Sequence, residues 1–178
     1  MCRVSLWACG IVPRSLLGYG VQSEVYIALG SNLGDRRAMI ARAIRRTHEH
    51  GSIAVERVSS IIETDPVGPP GQGPYMNAAI RVRTDLEPRA LLDALLTIEI
   101  GLGRDRSADA VRWGARVIDL DLLVYGNRVI DEPGLTLPHP RLHERGFVLI
   151  PLAEIAPELR IPPENRTPRA MLGALRGA

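Results

Sequence analysis

Hydrophobic positions along this chain change their spacing several times, and the order of the spacings predicts a mixed sheet-and-helix domain. Short apolar or alternating runs are typical of strands, whereas apolar residues three and four positions apart are typical of amphipathic helices. The strands predicted in this way are 24–30, 52–64, 75–84 and a run within 112–126. The predicted helices are 35–50, 87–101, 145–155 and a short last helix that Thr167 caps and Pro168 begins.

Two local patterns predict how the strands pair and connect. In residues 75–84, apolar and polar side chains alternate, which predicts a half-buried strand antiparallel to the one before it. Gly126 and Asn127 predict a hairpin turn that leads into residues 128–131. The order β-α-β-β-α-β, with further elements after it, predicts the α+β class: a ferredoxin-like core with a mainly antiparallel sheet, plus a C-terminal hairpin and helices.

Composition excludes several classes of protein. The chain has 178 residues, 46% of them hydrophobic and 24% charged, and contains no apolar run long enough to cross a membrane. Its formal net charge of +2 argues against a dedicated nucleic-acid or membrane-surface binder. Cys2 and Cys9 are the only cysteines, which predicts a reducing, cytoplasmic location without a disulfide framework. Residues 1–23 lack periodicity, so we expect a disordered N-terminal tail rather than a signal peptide, followed by one domain over 24–178.

The basic residues are unusual in kind, because all 22 are arginine and the chain contains no lysine. This excludes a P-loop, a protein-kinase site and Schiff-base chemistry, each of which needs a lysine. Any phosphate bound here must therefore be held by arginine, by backbone N–H groups or by a metal ion.

Two acids interrupt the apolar strand "RVIDLDLLVYG". Side chains at i and i+2 of a strand point to the same face, so Asp119 and Asp121 lie side by side. Such a pair either holds a cation, for which Mg²⁺ bound also to substrate phosphates is the usual choice, or lies on a solvent-facing edge. The sequence pattern alone leaves both interpretations open.

Arginines near this strand favour phosphate chemistry. Arg104, Arg106, Arg112 and Arg116 precede Asp119 within sixteen residues, although a solvated basic loop would have the same composition. Two further residues stay ambiguous at this level. His139 lies between two prolines and could face a ligand or simply occupy a turn, and Trp113 could belong to a lid or pack against the domain.

Five separated motifs resemble the 6-hydroxymethyl-7,8-dihydropterin pyrophosphokinase family of folate biosynthesis. The resemblance covers about residues 24–162, and its motifs are "ALGSNLGD" (28–35), "ETDPVG" (63–68), "YMNAA" (75–79), "RWGARVIDLDLL" (112–123) and "LPHPRLHERGFVLIPLAEIAP" (137–157). It implies Mg²⁺-dependent transfer of the pyrophosphoryl group of ATP to the pterin hydroxymethyl, with AMP as the second product. The domain over 24–178 would then be the pyrophosphokinase domain.

The resemblance also implies a role for individual residues. Asp119 and Asp121 match the family's ligands of two Mg²⁺ ions, and Arg104 and Arg116 match its catalytic arginines. The positions that match its ATP side are Glu99, Arg106, Trp113, Leu122, Thr136, His139 and Arg145, with Trp113 on the loop that closes over the site. The positions that match its pterin pocket are Thr64, Val67, Tyr75, Asn77 and Phe147, with the two aromatic rings on either side of the pterin.

The chain departs from the family pattern in the loop before Asp119. Ser107 stands where some members have a lysine, the loop from Arg106 to Trp113 is about two residues longer than in some relatives, and Ala115 replaces a frequent proline. We expect a monomer whose partners are small molecules, with no nucleic acid and no membrane. The alternatives are a metal-dependent nucleotidyltransferase, which would release pyrophosphate, and a ferredoxin-like nucleic-acid-binding module, for which 4% aromatic residues are few.

Overall fold

The computed structural model describes residues 22–105 and 114–176. Its strands are β1 (Ser23–Ser31), β2 (Ile53–Val58), β3 (Ile62–Thr64), β4 (Tyr75–Thr84), β5 (Asp119–Tyr125), β6 (Ile130–Glu132) and β7 (Leu135–Leu137). Its α-helices are α1 (Arg36–Glu49), α2 (Pro88–Gly101), α3 (Gly146–Ile155) and α4 (Pro168–Arg176). The predicted tail lies almost entirely outside the described residues, and Arg106, Ser107, Arg112 and Trp113 lie outside them too, so those expectations remain predictions.

The main sheet has the predicted ferredoxin-like topology. Its strand order is β2-β4-β1-β5, with the short β3 pairing with β4, and every pairing is antiparallel. The two β-α-β units therefore interleave, because the two strands of each unit lie two positions apart with one strand of the other unit between them. This arrangement puts β1 in the middle of the sheet and leaves β5 at one edge.

Helices cover both faces of the sheet and create two apolar cores. On one face, α1 and α2 pack through residues such as Ile40 and Leu95 against Ile27 and Leu29 of β1. On the other face, α3 and α4 pack against a smaller group that includes Leu123. The second core explains a correction: residues 75–84 were predicted to be half-buried, but the side chains of β4 from 77 to 80 are buried on both faces.

The predicted single strand over 52–64 is wrong in detail, because the structure has two strands with a break between them. At the break, the backbone N–H of Ser59 donates to the carbonyl of Ala79, while the Ser59 hydroxyl accepts from the Ala79 N–H. Ser60 then turns towards α3, where Glu154 accepts hydrogen bonds from both its backbone N–H and its hydroxyl, at 3.0 and 2.9 Å. β3 is thereby redirected to pair with the start of β4, where Thr64 is the partner of Tyr75.

The turn predicted at Gly126 and Asn127 does not join two paired strands. The chain does turn there, with the Arg128 N–H donating to the Tyr125 carbonyl at 3.0 Å, but β6 pairs with β7 rather than with β5. The expected C-terminal hairpin is therefore present, one strand further along, and Gly134 takes the positive φ of 75° that its turn requires.

The helix boundaries follow the predicted signals closely. Asp35 precedes α1 as its N-cap, and its Oδ1 accepts from the Ala38 N–H at 3.0 Å. Thr167 caps α4 in the same way, because its hydroxyl accepts from the Ala170 N–H at 3.2 Å. None of the helices within the described ranges is both long and apolar enough to cross a membrane.

Candidate active site

The floor of the main cleft is the sheet face opposite α1 and α2. The register of the strands aligns Asp119, Gly30 and Asn77 in one row across β5, β1 and β4, and aligns Asp121 and Ala28 in the next row. Cross-strand partners point to the same face, so the two acids and the amide converge over the small residues of β1. The structure therefore places Asp119 and Asp121 side by side on one face of β5, as predicted.

Three arginines neutralise the pair of acids. Arg116 donates through Nη1 to Oδ2 of Asp119, and Nη2 of Arg104 lies 3.6 Å from the other oxygen of that carboxylate. Arg145 reaches across from the start of α3, with Nη1 3.2 Å from Oδ2 of Asp121. These guanidiniums come from three separated parts of the chain, so the fold assembles the positive charge around the acids.

Burial has the largest effect on the ionisation of Asp121. Burial raises the pKa of the Asp121 carboxyl, and the Asp119 charge raises it further, against the opposing attraction of His139, Arg145 and Arg116. His139, Arg145 and Arg116 therefore offset only part of the effect of burial on Asp121. Burial alone would lower the pKa of Arg116, but Asp119 beside it raises that pKa on balance and keeps the guanidinium charged.

His139 lies behind the acids and has a defined ring orientation. Its backbone N–H donates to the Leu123 carbonyl of β5 at 2.8 Å, and its Nδ1 accepts from the Arg141 N–H at 3.2 Å. Burial lowers the pKa of His139, while the charge of Asp121 opposes this shift. The neutral ring, with Nδ1 occupied as an acceptor, carries its proton on Nε2 and presents a donor there.

The other half of the cleft is flatter and less charged. Tyr75 and Phe147 contribute aromatic walls from β4 and α3, and Val67 adds an exposed apolar side chain. In the same cleft, Nδ2 of the buried Asn77 donates to Oγ1 of Thr64 at 2.8 Å. A buried amide in a cleft that two aromatic rings line suits a planar ring system with a polar edge, because the amide can bond the edge while the rings cover the faces.

Asn32 connects the two halves behind the cleft. Its Oδ1 accepts from the Arg116 N–H at 2.6 Å, and its Nδ2 donates to Oε1 of Gln72 at 3.2 Å and to the Gly73 carbonyl at 3.4 Å. The Tyr75 hydroxyl adds a second link, since it lies 3.3 Å from the Gly114 carbonyl. The loop that follows β3 is therefore tied to the segment that delivers Arg116.

Four residues predicted on the ATP side do not line this cleft: His139, described above, and Glu99, Leu122 and Thr136. Glu99 is fully buried on α2, where its Oε1 accepts from the Leu120 N–H at 2.5 Å. The Leu122 side chain is buried in the main core, on the sheet face opposite the acids. Thr136 is exposed on β7 and its hydroxyl lies 3.3 Å from Oδ1 of Asp131.

A magnesium ion fits the donors that the cleft offers. Among residues 22–105 and 114–176, no group of three or more His, Cys, Asp or Glu side chains converges on one point. Mg²⁺ instead takes one or two carboxylates and completes its octahedron with water and substrate phosphates. Asp119 and Asp121, two carboxylates side by side on one face of β5, match that requirement.

Sequence reasoning missed several residues that line the cleft. Gly30, Asp65, Arg141 and Glu144 all contribute to its walls or floor. Gly30 could have been found, because it is the register partner of Asp119 once β1 and β5 are paired. Arg141 and Glu144 gave no signal of their own, since their approach depends on the turn after His139.

Comparison with known proteins gives a consistent match. The family model described as 7,8-dihydro-6-hydroxymethylpterin-pyrophosphokinase matches residues 26–157. A 2-amino-4-hydroxy-6-hydroxymethyldihydropteridine pyrophosphokinase of Bacillus subtilis (strain 168) is 47% identical over 134 residues, covering 75% of this chain and 78% of that protein. A Pseudomonas aeruginosa protein of the same name is 40% identical over 148 residues, covering 83% and 90%.

Solved structures agree at the level of the fold. A crystal structure of HPPK-DHPS in complex with substrates has a TM-score of 0.66 at 14% identity, over 85% of this chain and 45% of that one. The Plasmodium falciparum HPPK-DHPS A437G structure with SDX-DHP has a TM-score of 0.67 at 14% identity, over 88% and 46%. The chain therefore spans less than half of the length of these two structures.

Proposed function

This chain belongs to the 7,8-dihydro-6-hydroxymethylpterin-pyrophosphokinase family, and we propose that it transfers the pyrophosphoryl group of ATP to 6-hydroxymethyl-7,8-dihydropterin. The products are the pterin diphosphate and AMP, and the reaction belongs to folate biosynthesis. The observation that carries the proposal is the row formed by Asp119, Gly30 and Asn77. It places a carboxylate suited to hold a metal ion and an amide suited to bond the edge of a ring in one cleft.

The pterin would occupy the flat half of the cleft. Its bicyclic ring would fit between Tyr75 of β4 and Phe147 of α3, which both line the cleft. Asn77 offers both a donor and an acceptor, and its bond to Thr64 fixes which way the amide points. Val67 covers the remaining apolar edge. In this orientation the hydroxymethyl group would point along the row towards Asp119.

The triphosphate would lie over Asp119 and Asp121. These two carboxylates would hold two Mg²⁺ ions, as the resemblance implies. Bound Mg²⁺ supplies positive charge that screens the phosphate oxygens from the attacking hydroxyl. Arg116 and Arg145 already flank the acids, so they can turn to the phosphates once the acids have another counter-charge. His139 Nε2–H would add a neutral donor on the same side.

Positioning is then the main contribution of the protein. The pterin hydroxyl oxygen forms a bond to the β-phosphorus and loses its proton to water, the bond between that phosphorus and the oxygen bridging to the α-phosphate breaks, and AMP leaves with the bridging oxygen and its electron pair. Arg104 and Arg116 stabilise the charge on the group in transfer. Arg116 can do this accurately because Asn32 holds its backbone on both sides: it accepts from the Arg116 N–H at 2.6 Å and donates to the Arg116 carbonyl at 3.0 Å. No covalent enzyme intermediate is needed.

The remaining expectations belong to the same proposal. Glu99, Arg106, Trp113, Leu122 and Thr136 would act on the ATP side, with Trp113 closing over the bound substrates. The protein would act as a cytoplasmic monomer on small molecules alone. The separation between Glu99 and the cleft in the structure favours an indirect role for that residue.

One assay tests the function. The protein is incubated with Mg²⁺, ATP and 6-hydroxymethyl-7,8-dihydropterin, and the nucleotide product is identified by chromatography. We expect AMP in an amount equal to the pterin diphosphate, and no AMP when the pterin is left out. ADP would contradict pyrophosphoryl transfer, free pyrophosphate would point to a nucleotidyltransferase, and no turnover would leave a binding module as the better explanation.

A further inference from the structure

Arg141 lies at the edge of the cleft on a backbone that is fixed on both sides. Its N–H donates to Nδ1 of His139 at 3.2 Å, and the next residue, Leu142, is buried in the second core. The Arg141 side chain lines the same cleft as Asp121 and Arg145. The backbone from which this guanidinium extends is thus held by two anchored neighbours.

The ion pair that Arg141 makes with Glu144 is an exchangeable one. Nε of Arg141 lies 3.0 Å from Oε2 of Glu144, with side-chain exposures of 39% and 51%. The hydrogen bond from Arg141 lowers the pKa of Glu144, so this carboxylate is charged. Pairs this exposed contribute little net stability, because water screens the charges and two long side chains must be held still.

Arg141 differs in this respect from the other arginines near the acids. Arg104, Arg116 and Arg145 have side-chain exposures of 13%, 24% and 14% and pair with Asp119 or Asp121. Arg141 pairs with Glu144 instead, a carboxylate beyond the two that would hold the metal. A polyphosphate that enters the cleft offers Arg141 several oxygens of higher charge density, with geometry that suits a guanidinium.

We propose that Arg141 is a further ATP-binding residue, which exchanges Glu144 for phosphate oxygens when the nucleotide enters. Glu144 then acts as a competitor for the same guanidinium and sets a lower affinity for ATP than Arg141 alone would give. The inference rests on the proposed function, because it concerns the phosphate half of the same cleft.

Replacing Arg141 and replacing Glu144 should change the affinity for ATP in opposite directions. This distinguishes a role in ATP binding from a purely structural role of the ion pair. The dissociation constant of α,β-methylene-ATP with Mg²⁺ is measured by calorimetry for the parent and for single variants. Arg141→Gln should weaken binding about tenfold, the effect of one charge-assisted contact. Glu144→Gln should tighten it a few-fold, since the competitor is gone. If the pair were only structural, both variants would weaken binding, and that result would overturn the inference.

Arg128 and Glu87 provide a matched control. They form an ion pair of 2.7 Å, exposed like the first, at a position that does not line the cleft. Arg128→Gln and Glu87→Gln should leave the dissociation constant unchanged. An equal loss in Arg128→Gln would mean that net charge, not Arg141, sets the affinity. Arg141→Lys keeps the charge without the planar fork and should bind with intermediate affinity, which keeps the test decisive if Arg141→Gln does not fold.

Two readouts separate this inference from the proposed function. Pterin-dependent AMP formation by the parent is measured on the same preparation, and its absence would overturn the function itself. AMP formation together with an unchanged affinity of Arg141→Gln for the analogue would overturn the Arg141 inference alone. Binding of the pterin, followed by its fluorescence, should be the same in Arg141→Gln and the parent; a loss confined to the pterin would place Arg141 in the wrong half of the cleft.

Discussion

The buried carboxylate of Glu99 accepts a hydrogen bond from the backbone N–H of Leu120, with Oε1 2.5 Å from the nitrogen. Leu120 lies between the two acids on β5, and β5 is an edge strand of the main sheet. A strand edge has no neighbouring strand to satisfy its N–H groups. The Glu99 side chain on α2 therefore provides the acceptor that a neighbouring strand would otherwise provide. It thereby fixes the backbone that carries Asp119 and Asp121.

Replacing Glu99 should separate this structural role from direct contact with ATP. Glu99→Ala leaves the buried Leu120 N–H without its acceptor, which costs about 1–3 kcal/mol of stability. The rate of AMP formation should fall with it, because the acids lose their support. Urea unfolding and the coupled assay measure the two effects.

Glu99→Gln is the matched variant, because an amide oxygen can still accept from Leu120. It should keep most of the stability and activity that Glu99→Ala loses. Parent-like stability in Glu99→Ala would contradict the positioning role. A raised KM for ATP in Glu99→Gln at full stability would instead support contact with the nucleotide.

Asp121→Asn should remove nearly all pterin-dependent AMP formation while the protein stays folded, because it takes away one of the two carboxylates that would hold the metal. Circular dichroism checks the fold, and Asp93→Asn, on the exposed side of α2, is the control that should retain activity. Turnover close to that of the parent would mean that the acid pair does not serve the reaction.

The same substitution should change the pH dependence of stability. Burial, and then the charge of Asp119, raise the pKa of Asp121, so the folded protein holds this proton more tightly than the unfolded chain. The parent should therefore lose stability as the pH rises from about 3.9, the ordinary aspartate value, through the raised pKa. An asparagine cannot ionise, so without Mg²⁺ the variant should be more stable than the parent at pH 7 and similar to it near pH 4. Denaturant unfolding at both values measures this, and a less stable variant at pH 7 would contradict it.

The sequence was sufficient where local chemistry decides the structure. The period of two in β5 placed Asp119 and Asp121 on one face, and Thr167 marked the start of α4 as a side-chain cap, which the structure confirms. It was not sufficient where distant parts of the chain decide. The break after β2 depends on Glu154, which lies 94 residues from Ser60, and no local pattern announces such a bond.

The burial of Glu99 shows a signal that was present but not used. Pro88, Leu91, Leu95 and Glu99 are the buried residues of α2 and follow one another at helical spacing. An acid on the apolar stripe of a helix needs a hydrogen-bond partner inside the fold. By contrast, the approach of Arg145 to Asp121 joins residues 24 positions apart, so only the resemblance to a family could suggest that both belong to one site.

Thr64→Val tests the orientation of the Asn77 side-chain amide, which we propose bonds the polar edge of the pterin. The substitution keeps the shape of the side chain but removes the oxygen to which Nδ2 of Asn77 donates at 2.8 Å. The amide then loses its fixed orientation, so the KM for the pterin should rise about five- to tenfold, as expected for one lost hydrogen bond. The KM for ATP should not change. Thr97→Val on the exposed side of α2 is the control, and a parent-like pterin KM in Thr64→Val would show that Asn77 needs no partner.

Gly30→Ala tests the floor of the cleft, because Gly30 lies between Asp119 and Asn77 in the register. A Cβ built there would be 3.3 Å from Oδ1 of Asn77 and 3.8 Å from Cδ1 of Tyr75, and Gly30 is not among the positive-φ glycines of the described chain. The added methyl should therefore fit the backbone but intrude on the pterin, raising its KM at least about tenfold with a smaller effect on ATP. Gly101→Ala, where a Cβ meets nothing within 4 Å, is the control for a harmless methyl group. Steady-state kinetics with each substrate varied in turn measure both constants; an unchanged pterin KM in Gly30→Ala would mean that the ring does not lie on β1.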